Sequence, residues 1–165
     1  MAELKNDMTP FQIGSFGHFK DNFVFIGRVQ ISWADGFWNE WYIRFDDGKE
    51  AWLAEAQGSY MISFAADIPK TLPKATELSP EMPIQIGSIL YQVDDIKDVT
   101  YAFAEGELPF SAPQGFKGVS VDLSHGENYF ASISYTESGD VDVFVGQYLE
   151  FEKFQFKNLR QIDGW

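Results

Sequence analysis

Residues Gly36 to Leu53 read GFWNEWYIRFDDGKEAWL, and this stretch decides the fold class. Phe37, Trp41, Ile43 and Phe45 fall on one side of a period-two pattern, and Trp38, Glu40, Tyr42 and Arg44 on the other. That is the period of a β-strand. Aromatics on both sides point to a strand covered on both faces. Asp46-Asp47-Gly48 supplies a turn, since Asp bonds its own backbone and Gly accepts positive φ. Ala51-Trp52-Leu53 then carries the sheet onward. The stretch is a hairpin holding three of the five tryptophans.

The same grammar extends in both directions. Upstream, Phe23 to Trp33 alternates Phe23, Phe25, Val29, Ile31 and Trp33 against Arg28, Gln30 and Ser32, a half-buried strand. Gly27 within it marks a bulge or bend, and Ala34-Asp35-Gly36 turns into the central hairpin. Phe11 to Phe19 is a short strand or strand pair punctuated by Gly14 and Gly17. Downstream, Gln57-Gly58 turns into Tyr60–Phe64, and strands follow at about 88–93, 99–105, 119–123, 129–133 and 141–145. The tail from Leu149 to Ile162 reads as a strand running into a short helix. Ala65 to Pro83 differs in kind: four prolines fix φ and remove donors there, marking an irregular connector. Leu108 to Gly115 is a second irregular piece.

Two segments echo each other. Gln12-Ile13-Gly14-Ser15 returns as Gln85-Ile86-Gly87-Ser88, the hairpin Ile43–Gly48 aligns with Val121–Gly126, and Trp52 falls on Phe130. The reading is all-β: two tandem repeats of a small antiparallel meander, as SH3-like barrels or sandwich halves, packed as one unit. Its parts are a flexible tail over 1–10, a first repeat over 11–64, a proline-rich connector over 65–83 and a second repeat over 84–162.

Composition narrows the function. There are 12 Lys+Arg against 25 Asp+Glu, a net charge of −13, most of it beyond residue 75. Such a field repels phosphate backbones and anionic lipid, so nucleic acid and the membrane surface are poor partners. Solubility alone also explains it. No stretch approaches the ~20 apolar residues of a membrane span, and MAELKNDMTP lacks the apolar centre of a signal peptide. With no cysteine in the chain, neither a disulfide framework nor a thiolate metal site can form. A cytoplasmic protein without membrane insertion is expected.

As a set, QIGS with Ile26-Gly27-Arg28, WNEWY (38–42) leading to DDGKEAWL, AEGELP (104–109), VDL (121–123) and VGQ (145–147) resembles the bacterial family catalogued as domain of unknown function 4178. The resemblance runs from about residue 11 to 160. It implies an all-β accessory protein of unassigned activity and brings no catalytic residues.

The residues themselves offer little chemistry. The two histidines, His18 and His125, lack ligand spacing for zinc, and no phosphate-binding or nucleophile-elbow motif is present. The Asp94-Asp95 and Asp98 cluster lacks the pattern of a calcium loop and reads as an exposed acidic turn. Two constellations remain. Trp38, Glu40 and Tyr42 form an aromatic face around a carboxylate, suited to an ammonium or guanidinium group. The alternative is core packing, with Glu40 paired to Arg28 or Arg44. Glu105 and Glu107 flank Gly106 and share a strand face provided Gly106 is not bulged; they can grip a cation or, with one buried, do acid–base work.

The expectation is a non-enzymatic interaction module without cofactor or metal, binding a protein partner or itself. The alternative is a binder of a small cation such as a polyamine through Trp38, Glu40, Tyr42, Glu105 and Glu107, which requires those five to converge. A carboxylate-based hydrolase is the catalytic variant.

Overall fold

The computed structural model describes residues 9–56, 58–110 and 115–160. Among the described residues ten strands follow in order: β1 (Phe16–Phe19), β2 (Asp21–Trp33), β3 (Gly36–Phe45), β4 (Glu50–Ala56), β5 (Ser59–Ala66), β6 (Pro83–Ile86), β7 (Ile89–Gly106), β8 (Phe116–His125), β9 (Tyr129–Thr136) and β10 (Val141–Leu149). Short 3-10 turns occupy Ala75–Glu77 and Phe151–Phe154.

Every strand pairing is antiparallel. The order β2-β3-β4-β5-β10-β9-β8-β7 closes on itself through β2 pairing with β7. Eight strands therefore form a closed barrel, with β1 and β6 appended outside it. Closure gives each of the eight a neighbour on both sides. Eight is also the count at which a barrel interior is filled by side chains or holds one small ligand.

The central hairpin forms as its residues dictate. Phe45 and Lys49 pair across the turn, Gly48 sits at φ 90°, and the Asp47 carboxylate accepts the Lys49 N–H at 2.9 Å. In β2 the register shifts between Phe25 and Gly27. The bulge inverts the side-chain alternation, so residues of the same numerical parity end on opposite sides of the wall. Phe23 and Phe25 pack outside, while Val29 and Ile31 join the cluster inside.

Among the described residues three buried clusters result. Outside the β2–β5 wall lie Phe23, Phe25, Trp41, Ile43 and Leu53, covered by Phe11 and by Phe151, Phe154 and Phe156 of the C-terminal segment. Outside the β7–β10 wall lie Val93, Val121, Leu123, Ile133 and Val143, covered by β6 and by Leu72, Leu78 and Met82 of the connector. The third fills part of the lumen: Val29, Ile31, Tyr42, Trp52 and Val99. The fully buried aromatics Phe11, Phe23, Phe25, Trp41 and Phe154 all belong to the first, external cluster.

The all-β class thus holds, but neither an SH3-like barrel nor a sandwich half closes within either half of the chain. β5 pairs with β10 and β2 with β7, so each half supplies four strands to one shared barrel. The strands expected at 88–93 and 99–105 are one strand, β7, accommodating bulges near Asp94 and Phe103. The Asp94 cluster is consequently not a turn; it lies mid-strand. Residues 1–8 of the expected tail, Gln57, residues 111–114 and the chain beyond 160 lie outside the described residues. Thr9 and Pro10 are buried, the Pro10 carbonyl accepting the Arg160 N–H at 2.7 Å.

Candidate functional site

Alternation along the strands fixes what faces the lumen. Register places Trp38, Glu40 and Tyr42 of β3 opposite Ile31, Val29 and Gly27 of β2, and Glu40 and Tyr42 opposite Ala54 and Trp52 of β4. On the far wall several inward positions are small and polar, with Phe130 and Phe144 among them. Ser120 and Asp122 of β8 stand opposite Ser134 and Ser132 of β9, which stand opposite Asp142 and Phe144 of β10. These residues enclose an internal cavity of about 60 Å³ lined by Glu40, Trp52, Ser63, Tyr101, Phe130 and the serines. The volume suits a few water-sized groups.

The lumen widens at the end carrying the Asp35 turn. There Trp33, Phe37, Trp38, Met61, Asp95, Lys97 and Asp122 ring a mouth of about 260 Å³. Glu40, Ala54 and Phe130 line both spaces, so Glu40 stands where the mouth meets the inner cavity. Its hydrogen bond comes from Trp38 Nε1 at 3.4 Å. Among the described residues no arginine or lysine pairs with it. Burial pushes its carboxyl up to about 7; the Trp38 bond works against that, and the Asp122 charge adds to it. The surface Glu40 retains faces the cavity and mouth.

Asp122 shifts in the same direction, although its side chain stays 41% exposed. Burial raises it to about 6, with the Lys97 ammonium opposing and Asp95 and Asp94 adding. Lys97 forms a close ion pair with Asp95 and lies 3.8 Å from Asp122 Oδ2. Its ammonium also sits 4.8 Å from the Trp33 ring centroid and 5.9 Å from that of Trp38. The mouth and its floor thus gather three carboxyls, Glu40, Asp95 and Asp122, around one lysine. Tyr101 reaches Ser134 Oγ at 3.2 Å, and burial raises its hydroxyl; burial with the Asp122 and Asp94 charges pushes the Tyr148 hydroxyl up to about 12.

The other end of the lumen is covered. Leu108 packs into the luminal cluster and Phe110 stacks on Trp52 with ring centroids 5.9 Å apart. Arg44 clamps Glu107 at 3.0 and 3.3 Å and lies 3.8 Å from Glu50.

The five candidates do not converge. Trp38, Glu40 and Tyr42 point into the barrel, with Tyr42 against Trp52 at 4.9 Å. Burial and Glu50 raise the Tyr42 hydroxyl above its usual range. Gly106 adopts φ 75° and breaks the alternation on which a shared Glu105–Glu107 face depended. Glu105 instead meets Arg28 on the outer wall at 3.7 Å, and Glu107 belongs to the Arg44 clamp. Nor does Glu40 take either arginine.

Sequence reasoning missed Trp33, Asp95, Lys97, Asp122 and the luminal serines. For Asp95, Lys97, Asp122, Ser120, Ser132 and Ser134 the signal was present in the polar positions of β7 to β9, which read as solvent-facing. His18 Nδ1 lies 2.9 Å from Asn22 Oδ1, and His125 Nδ1 lies 2.9 Å from the Leu90 carbonyl. Among the described residues no group of three or more His, Cys, Asp or Glu is placed to hold a metal ion, and no helix is long and apolar enough to cross a membrane.

Fold and lumen together define a closed, eight-stranded antiparallel barrel with a polar, carboxylate-bearing interior and aromatic rings at its open end. The profile described as "Domain of unknown function (DUF4178)" matches residues 12–151, and the chain belongs to that family. No curated protein and no solved structure matches it.

Proposed function

We propose that the barrel binds a small organic cation in its lumen, with Glu40 as the charged anchor. The observation carrying this reading is Glu40 itself: a half-buried carboxyl on the inward face of the wall, facing a cavity, with no cationic side chain against it among the described residues. Burying a charge without a partner is costly. A fold that keeps one facing a cavity has a use for it, and a cationic ligand compensates it. Serine hydroxyls and aromatic walls supply hydrogen bonds and cation–π surface around the same space. The ligand set is Glu40 and Trp38 with Ser63, Ser120, Ser132 and Ser134, not Glu105 and Glu107. Those two are each engaged by their own arginine, which argues against a two-carboxylate hydrolase and favours a binding protein. The two halves of the chain are read as copies of one unit, supported by the equivalent inward positions of Trp52 and Phe130.

Thermal unfolding with a panel of polyamines, basic peptides and divalent metals tests this. A ligand at 100 times its Kd adds about 2.7 kcal/mol. The expected result is a saturable rise with spermidine that Glu40→Gln abolishes. A rise of equal size in Glu40→Gln contradicts the proposal. The protein-partner reading draws on a different feature: Leu90 and Tyr129 are 53% and 45% exposed beside His125. A response to basic peptides alone favours it.

A further inference from the structure

The luminal anchor accounts for Glu40 but not for the arrangement above it. Lys97 is a lysine only 15% exposed at its side chain, on a strand whose neighbouring Asp95 is 51% exposed. Lysines are mostly exposed, and one this enclosed is held by partners, here Asp95 and Asp122. The residues enclosing it come from separate elements: Trp33 from the end of β2, Trp38 from β3, Asp95 from β7 and Asp122 from β8. Two indoles and two carboxylates around one ammonium form a complete recognition site for an alkylammonium group. The site lies at the mouth of the passage to Glu40.

We infer that this is an alkylammonium-binding seat filled by the protein's own Lys97, and that small organic ammonium ligands bind by displacing it. The inference rests on the lumen being a ligand site and names the ligand class. A tethered ammonium competes at a high effective concentration, because its alternative positions are confined to the reach of one side chain. If Lys97 fills the seat nine-tenths of the time, an external ammonium binds about tenfold more weakly than the seat itself allows. Lys97 thereby sets a concentration threshold: the barrel opens to its ligand only where that ligand is abundant enough to outcompete it. The net charge of the seat favours the exchange, since Asp95, Asp122 and Glu40 outnumber the one lysine.

The test is titration of the full chain and of Lys97→Met with n-butylammonium, at fixed total ionic strength maintained with sodium. The indole N–H resonances of Trp33 and Trp38 serve as local reporters. Lys97→Met is expected to bind n-butylammonium at least tenfold more tightly than the unaltered protein, with saturable shifts of both indoles; Lys97→Arg, which keeps a cation in the seat, stays weak. Equal affinity in Lys97→Met and the unaltered protein, or shifts that leave both indoles unmoved, overturns the inference. Should Lys97→Met fold poorly, Lys97→Gln replaces it with the same expectation. Glu40→Gln in the Lys97→Met background separates the two proposals. Retained indole shifts there with unchanged affinity leave the seat standing and remove the luminal anchor; loss of tight binding supports both.

Discussion

Glu40 and Glu55 stand within one residue of each other across the β3–β4 ladder, one on each side of the barrel wall, and they live under opposite conditions. Glu55 faces outward beneath the N-terminal segment. Its Oε1 accepts Trp41 Nε1 at 2.9 Å and Asn39 Nδ2 at 3.1 Å, and Thr9 bonds the same atom. Asn39 in turn accepts from Arg28 at 2.8 and 3.0 Å, and the Arg28 guanidinium lies 4.8 Å from the Trp41 ring. This network ties Thr9 and Phe11 to the wall. Glu40 faces inward and, among the described residues, receives a single, long bond. One carboxylate is surrounded by donors that serve the fold; the other is held where the fold gains little from it. That difference is the physical basis for proposing the lumen, rather than the aromatic outer wall, as the functional site.

The comparison can be broken at several points. The largest effect belongs to the outer wall. Trp41→Ala removes a fully buried indole that packs on Phe11 and Phe25 and is expected to cost about 3–5 kcal/mol in urea unfolding. Trp38→Ala, on the inward face at the mouth, is expected to cost clearly less. Equal losses would dissolve the distinction between the faces. Next comes Glu55→Ala, which strands the donors of Trp41 and Asn39 and is expected to lose about 1–3 kcal/mol, with increased protease cleavage near residue 9. A neutral Glu55→Ala would mean the network does not anchor that segment.

How much of this was legible beforehand follows from the same geometry. The hairpin at Asp46–Gly48 and the Gly27 bulge were readable, because turn chemistry and alternation are local. The closure was not. Whether β5 finds β10 and β2 finds β7 depends on pairings between residues distant in the chain, which periodicity does not encode. That miss propagated to the site. In a half-buried sheet the apolar face is inward and the polar face meets solvent. Here flanking segments cover the apolar outer faces, and Ser120, Asp122, Ser132 and Ser134 turn toward a lumen. Glu105 and Glu107 failed for a smaller reason: the positive φ of Gly106, foreseeable as a risk but not as a fact.

The most direct test compares the unfolding free energy of the unaltered protein and Glu40→Gln at pH 5 and pH 8. A carboxyl raised from 4.5 to about 7 in the folded state is bound more tightly by its proton there than in the unfolded chain. Its contribution to stability is therefore greatest below the unfolded value and is lost as pH rises toward 7. Asp122, raised from 3.8 to about 6, adds a trend of the same sign at lower pH that Glu40→Gln leaves in place. Glu40→Gln is expected to be nearly neutral at pH 5 and more stable than the unaltered protein at pH 8. A variant destabilised at both pH values would show that Glu40 serves the fold as Glu55 does, and would contradict the luminal site.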